Sequence, residues 1–342
     1  MKLWFDLDNS PHVPLFKPIF TELQNRKIDF QITARDFAQT LGLLQFWNIP
    51  HHAIGAYGGK NKLKKVLNLF RRTSQLKKFA ANKNFSLAVS HGSRSLVMAA
   101  RGLKIKSVVM LDYEWTESKI FNRYASWLLM PSVIPDSRLK EAGFNLKKII
   151  RYNGLKEELY LPDFIPESGF REKLGVPQEK FLITIRTPGM TGNYHNTQSE
   201  ILLAAILKKI QEDMRCHALL VTRTKTDKDF AANLIDSSDN IFFLNDAVDG
   251  LQLLYASDVF ISGGGTMNRE SALLGTKTYS IFTGKKAYVD EWLAERGLLV
   301  FISTLDEAKN ITFEKSESKK MNSVNKNLRV EITDIVLNLS EF

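Results

Sequence analysis

The stretch Val259-Phe260-Ile261-Ser262-Gly263-Gly264-Gly265-Thr266-Met267-Asn268-Arg269-Glu270 decides how this chain is read. A short apolar strand runs into three glycines, and helical spacing begins near Thr266. In a parallel α/β sheet, ligands gather at the carboxyl ends of the strands, where glycines let a backbone approach phosphate closely. The helix start adds unpaired N–H groups and the positive end of a dipole, so an anionic diphosphate is the expected guest. Thr266 is placed to cap the helix or to touch phosphate. Glu270, one turn later, faces the same side, where its carboxylate suits the two ribose hydroxyls. The competing reading is a glycine turn that only lets helix and strand pack closely, with Glu270 solvated. The segment is neither a dinucleotide fingerprint nor a P-loop: Asn268 stands where the last glycine would fall, and no lysine follows.

Working back from this segment, the pattern repeats. Strands are expected at Phe181–Arg186, Ala218–Thr222, Ile241–Leu244 and Val259–Ser262, with helices at Gln198–Asp213, Lys228–Ile235 and Leu251–Tyr255 between them. The first half shows the same alternation. Strands Leu3–Leu7, Phe30–Thr33, Ser86–Ser90 and Ser107–Leu111 interleave with helices Leu15–Leu23, Phe37–Phe46, Ser95–Arg101 and Ser118–Trp127. Asn153-Gly154, Pro162 and Pro166 break the pattern and mark a junction, which divides the chain into lobes at 1–155 and 156–342. Leu328–Leu339 has the spacing of a terminal helix packing back on the protein. The 342 residues suit two such Rossmann-like lobes.

Polar residues recur at the ends of the expected strands. Asp6-Leu7-Asp8-Asn9-Ser10-Pro11-His12 carries an acidic strand end into a turn, and either Asp8 or His12 could act as a base. The alternative is that Asp8 caps the turn and its neighbours shape it. His91-Gly92-Ser93-Arg94 and Asp112-Tyr113-Glu114 hold equivalent positions after later strands, which makes His91 and Glu114 further candidates. Arg186, before Thr187-Pro188-Gly189, could neutralise a leaving diphosphate, or else form a structural ion pair. Arg223 and Lys225 are weaker candidates of that kind. The six histidines lack ligand spacing and no EF-hand cluster is present, so neither metal nor cofactor is expected, apart from an incidental Mg²⁺ on bound diphosphate. No nucleophile-elbow motif is present, which argues against serine hydrolase chemistry.

Ser262–Gly275, SGGGTMNRESALLG, resembles the nucleotide-binding segment of GT-B glycosyltransferases and of non-hydrolysing UDP-N-acetylglucosamine 2-epimerases. The opening LWFDLDNSPHVPLFKPIFTEL, HGS at 91–93, DYE at 112–114 and YNGLKEELYL from Tyr152 resemble the domain-of-unknown-function 354 family, over nearly the whole chain. That family is regarded as GT-B-type glycosyltransferases. The resemblance implies two Rossmann-like lobes with parallel sheets facing across a cleft. It also implies Glu270 on ribose, Gly263, Gly264, Gly265 and Thr266 on a diphosphate, and the first loop toward an acceptor. The expected activity is transfer of sugar from a UDP-sugar to a surface polysaccharide, lipid-linked or other glycan. The alternatives are a sugar-nucleotide 2-epimerase using Asp8, His91 and Glu114, and a noncatalytic binder of nucleotide or polyanion.

Composition is that of a globular protein, 44% hydrophobic and 25% charged. The single cysteine, Cys216, excludes an intrachain disulfide and fits a reducing, cytoplasmic compartment. Acids interrupt the apolar residues at the N-terminus, so no signal peptide is expected. The net charge of +10 favours anionic partners. Much of it lies in Lys60–Lys83, which holds no acid. There Leu63, Val66, Leu67 and Phe70 fall on one helix face. That face is read first as core-facing with a solvated basic side, and second as a peripheral attachment to anionic membrane at the inner face. Nucleic-acid binding is not expected, since no recognition motif accompanies the charge.

Overall fold

The computed structural model describes residues 1–56, 62–188, 197–222, 224–235, 238–246, 248–315, 319–322 and 325–342, without the side chains of 62 and 63. Gly189, Arg223 and Lys60 lie outside the described residues. The chain divides into two units, Met1–Pro162 with Val324–Phe342, and Asp163–Ser323.

The first unit alternates β1 (Lys2–Leu7), α1 (His12–Asn25), β2 (Asp29–Asp36), α2 (Thr40–Phe46), β3 (His52–Ala56), α3 (Lys62–Ala80), β4 (Leu87–His91) and α4 (Arg94–Gly102). It continues through β5 (Lys106–Met110), α5 (Ser118–Tyr124), β6 (Trp127–Pro131), α6 (Asp136–Glu141) and β7 (Ile149–Tyr152). The seven strands pair in parallel in the order β3-β2-β1-β4-β5-β6-β7. Strand order therefore reverses between β1 and β4. At such a switch point the two crossovers leave on opposite sides and open a crevice at the carboxyl ends of the strands.

β1 is buried on both faces, as a central parallel strand must be. Leu3, Phe5 and Leu7 pack with Phe16, Ile19 and Phe20 of α1, while Trp4 packs with Leu76 of α3, Ala88 of β4 and Ala99 of α4. The expected helix over Ser118–Trp127 is shorter than its periodicity suggested. Ala125 turns to extended geometry, and Trp127–Pro131 becomes strand β6, because this short apolar run is buried between β5 and β7.

The second unit holds α7 (Phe170–Lys173), β8 (Phe181–Arg186), α8 (Thr197–Glu212), β9 (Cys216–Val221), α9 (Lys225–Ala232), β10 (Ile241–Phe243) and α10 (Gly250–Ala256). β11 (Val259–Ser262), α11 (Thr266–Leu273), β12 (Lys277–Ser280), α12 (Tyr288–Glu295), β13 (Val300–Phe301) and α13 (Leu305–Lys309) follow. Its parallel sheet has the order β10-β9-β8-β11-β12-β13, with the reversal between β8 and β11.

The last helix, α14 (Leu328–Ser340), returns to the first unit, where Leu328, Ile332, Val336 and Leu339 join the core around α1. The position 155/156, read from sequence as the junction, lies inside this unit. Lys156–Leu159 forms a buried 3₁₀ turn, and Leu159 shares the core with Tyr152 and Leu328.

The basic helix departs from its first reading. The face of α3 that packs inward carries Arg72, Thr73, Leu76 and Ala80, whereas Val66, Leu67 and Phe70 are 52%, 69% and 56% exposed. A buried arginine fixes this rotation: Arg72 must reach Asp6, and one helix cannot also turn a stripe about 100° or more away into the same core.

Candidate functional site

The crevice of the first unit is built on a buried ion pair. Arg72 of α3 holds both carboxylate oxygens of Asp6, with Nη1 to Oδ2 at 2.8 Å and Nη2 to Oδ1 at 2.7 Å. Ser93 Oγ donates to Oδ2 at 2.6 Å and Thr33 Oγ1 to Oδ1 at 2.7 Å. The pair ties β1, β2, α3 and the start of α4 together, and bidentate geometry with hydroxyl donors is what makes a buried pair tolerable. Ser93 also caps α4, accepting from the Leu96 amide at 3.3 Å.

The strand ends at Leu7, and Asp8, two residues beyond Asp6, lines a cavity of about 620 Å³ together with Arg35, Leu69, Arg72 and Gly92. The Asp8 amide donates to Nδ1 of His12 at 3.3 Å, which leaves the His12 proton on Nε2. Burial pushes the Asp8 carboxyl above its ordinary value, with Arg72 opposing. Burial, reinforced by His91 and Lys156, holds His12 well below its ordinary value, so His12 is a neutral imidazole at pH 7. No side-chain cap is made at the start of α1, where Pro11 occupies the cap position.

His91, the last residue of β4, has its ring 4.9 Å from that of His12. Its Nε2 is 3.0 Å from Asp112 Oδ1, and Asp112 Oδ2 is 2.5 Å from Lys156 Nζ. With Nε2 donating to the carboxylate, the lone pair lies on Nδ1, the arrangement that orients an imidazole as a proton acceptor. Glu114 is wholly buried, with Oε1 3.9 Å from Arg138 Nη1. Asp112 was read from sequence only as part of the strand-end group Asp112-Tyr113-Glu114, and Lys156 and the Asp6–Arg72 pair were not singled out. Asp112 and Lys156 sat inside the quoted DYE and YNGLKEELYL segments, but Arg72 was hidden among the cations on the side of a helix read as solvated.

In the second unit the reversal point gathers the other candidates. The pairing of β8 with β11 sets Arg186 directly beside Ser262, one residue before the glycines. A Cβ on Gly263 would come within 3.3 Å of the Pro188 backbone, so any side chain there would push these two strand-end loops apart by a few tenths of an ångström. Gly264 and Gly265 both have φ of +97°, a region that penalises L side chains. Ser262 Oγ accepts from the Gly264 amide at 3.1 Å and donates to Asn268 Oδ1 at 2.6 Å, which pins the turn to the first coil of α11. Thr266 is the first helical residue rather than the cap. Gly265 takes the cap position; among the described residues no side-chain oxygen caps the early amides of α11, and the Asn268 amide bonds the Gly265 carbonyl at 3.1 Å. Glu270 is half-buried on the next turn. Arg269, beside it, points inward and pairs with Asp290 at 2.6 Å. Lys225 begins α9. Among the described residues no cluster of His, Cys, Asp or Glu is arranged to hold a metal.

Comparison with known proteins agrees with this architecture. An uncharacterized protein of Methanocaldococcus jannaschii is 28% identical over 318 residues, which span 91% of this chain and 90% of that one. The UDP-GlcNAc 2-epimerase of Neisseria meningitidis, solved bound to UDP-GlcNAc, has a TM-score of 0.79 at 12% identity, covering 99% of this chain and 100% of that one. The M. jannaschii UDP-GlcNAc 2-epimerase, in complex with UDP-GlcNAc and UDP, gives 0.75 at 16% identity, with the same coverage. At these identities the likeness is one of fold, and the fold is GT-B-like. The family model described as "Protein of unknown function (DUF354)" matches residues 1–341, and the chain belongs to that family.

Proposed function

We propose that the second unit binds a UDP-sugar and that the first unit carries the acid–base groups that transfer its sugar to a hydroxyl acceptor. The observation that carries this reading is the meeting of Arg186 with the Gly263–Thr266 turn at the point where the strand order of the second sheet reverses. Such a point in a doubly wound sheet is where nucleotides bind, and the uncapped amides of α11 suit a diphosphate. Glu270 would take the ribose hydroxyls. The solved proteins of similar fold were captured with UDP-GlcNAc or UDP, which favours uridine.

In the transfer, the acceptor oxygen forms its bond to the anomeric carbon as the bond from that carbon to the diphosphate oxygen breaks. The hydroxyl proton passes to Nδ1 of His91, whose imidazolium Asp112 stabilises. Arg186 and the α11 amides offset the negative charge that develops on departing UDP. Asp8 and His12, a raised carboxyl beside a neutral imidazole, position the acceptor. Glu114, buried on Arg138, supports the wall instead of touching substrate.

A second reading has one observation in its favour. Asp8, His12, His91 and Asp112 supply more acid–base groups than a single proton transfer needs, and epimerisation at the sugar's second carbon requires proton removal and return. Incubation with UDP-GlcNAc alone separates the two: the 2-epimer supports epimerisation and overturns transfer. The nucleotide assignment is tested by thermal shift. UDP should raise the melting temperature of the wild type and leave Glu270→Ala unmoved, and an equal shift in both proteins would remove Glu270 from the ribose.

A further inference from the structure

Between Asp36 and Asp112 lie 75 residues without a single Asp or Glu and with thirteen Lys or Arg. α3 is the helix at the middle of this stretch. Its exposed apolar residues, Val66, Leu67 and Phe70, lie within about 100° of arc that begins at the border of the buried face, with Val66 nearest to it. Lys64, Arg71 and Lys78 follow on the next sector of the helix, all exposed. Lys64, Leu67, Asn68 and Arg71 surround a shallow hollow of about 420 Å³, which sets cations and apolar carbon around one depression.

Ser74 and Gln75 are exposed between the cations as on any solvated helix, but neither a solvated basic face nor a nucleic-acid face gains from exposed Val, Leu and Phe. Cations flanking an exposed apolar stripe match a bilayer, whose phosphates meet the cations while the apolar side chains enter the acyl boundary. We propose that the first unit docks on an anionic phospholipid bilayer through α3, with Val66, Leu67 and Phe70 inserted and Lys64, Arg71 and Lys78 on the headgroups. Among the described residues no helix is long and apolar enough to cross a membrane, so the contact is peripheral. α3 also walls the 620 Å³ cavity through Lys65, Val66, Asn68 and Leu69, beside Asp8. Docking brings that cavity to headgroup level, where a lipid-borne acceptor meets it; this last step rests on the transfer reading, and the docking does not.

The test is co-sedimentation of the full chain, without nucleotide, with vesicles of phosphatidylcholine alone or mixed with phosphatidylglycerol. Binding should require phosphatidylglycerol and weaken as salt rises. Leu67→Ser/Phe70→Ser and Arg71→Glu/Lys78→Glu change only exposed side chains, and each should lower partitioning at least about tenfold with unchanged circular dichroism. No binding to either vesicle overturns the proposal, as does binding that neither variant alters. RNA binding tighter than vesicle binding and indifferent to the serine pair would make the face a nucleic-acid surface instead. A dimer in analytical ultracentrifugation that the serine pair dissociates would make it a contact between copies. Every arm reads binding without turnover, so loss of the docking leaves the transferase assignment standing, and loss of that assignment leaves the docking.

Discussion

His91 and Asp112 meet side chain to side chain, Nε2 to Oδ1 at 3.0 Å, although 21 residues separate them. The parallel register explains the meeting. His91 lies opposite Met110, and Asp112 follows two residues beyond the end of β5. Lys156, from the turn after β7, fixes the other carboxylate oxygen. Three segments thus orient one imidazole.

If this pair accepts the proton, Asp112→Asn lowers kcat by roughly 10²- to 10⁴-fold, because the amide no longer stabilises the imidazolium. His91→Gln does the same. Both proteins should keep the wild-type Kd for UDP, measured by calorimetry. A fall in UDP affinity that matches the fall in kcat would assign the pair to folding.

Asp6 and Arg72 are 0% and 4% exposed, so removing one leaves the other charge buried without its counterion. Arg72→Met should cost about 3 to 5 kcal/mol in urea unfolding. Asp6→Leu/Arg72→Met should recover most of that loss. A double variant as unstable as the single one would show that Ser93 and Thr33, not charge, dominate the site.

His12 supplies a pH dependence with a definite sign. Its folded pKa is held well below the ordinary 6.5 by burial, so as pH falls through 6.5 the unfolded chain takes up a proton that the folded chain refuses. Stability is then lost on the acid side of pH 6.5. Asp8, raised by burial, acts oppositely, since the folded chain binds its proton first as pH falls toward 3.8. Melting curves between pH 7.5 and 5.5 should show a fall for the wild type that is smaller in His12→Gln; parallel curves would contradict the neutral, buried imidazole.

Gly264 and Gly265 should separate on substitution by alanine. Gly265 has open space around a Cβ, so Gly265→Ala carries only the strain of its φ +97°, ψ −163° backbone, about 1 to 3 kcal/mol. A Cβ on Gly264 would add contact with the Phe282 ring at 3.3 Å. Gly264→Ala should therefore be the less stable of the two in urea, and both should bind UDP more weakly than wild type.

Cys216 is 1% exposed, and burial pushes its thiol up to about 12. Ellman's reagent should react with it only at the rate of unfolding. Immediate labelling of the native protein would contradict that burial.

Several of these features were legible in the chain. Val259–Ser262 and Phe181–Arg186 are strands over the residues expected, since a short apolar run ending at glycine or proline has few other uses in a buried sheet. Asp8 and His91 could be placed at strand ends for the same reason. Arg72 could not, because a buried arginine and a solvated one look alike in a run of lysines, and only contact with Asp6 distinguishes them. Of strand Trp127–Pro131 only Trp127 entered the reading, as the end of a helix, because a short apolar run fits either period until its neighbours are known.

By itself the sequence determined the repeated strand–helix order, the glycine turn and its Glu270, and the excess of positive charge, because each is a local pattern read within a dozen residues. Tertiary structure alone decided that β1 lies beside β4 and β8 beside β11, that His91 faces Asp112, and that Val66, Leu67 and Phe70 face outward. Those outcomes depend on strand order and on which helix face a distant carboxylate claims. Both are settled by contacts between residues far apart in the chain.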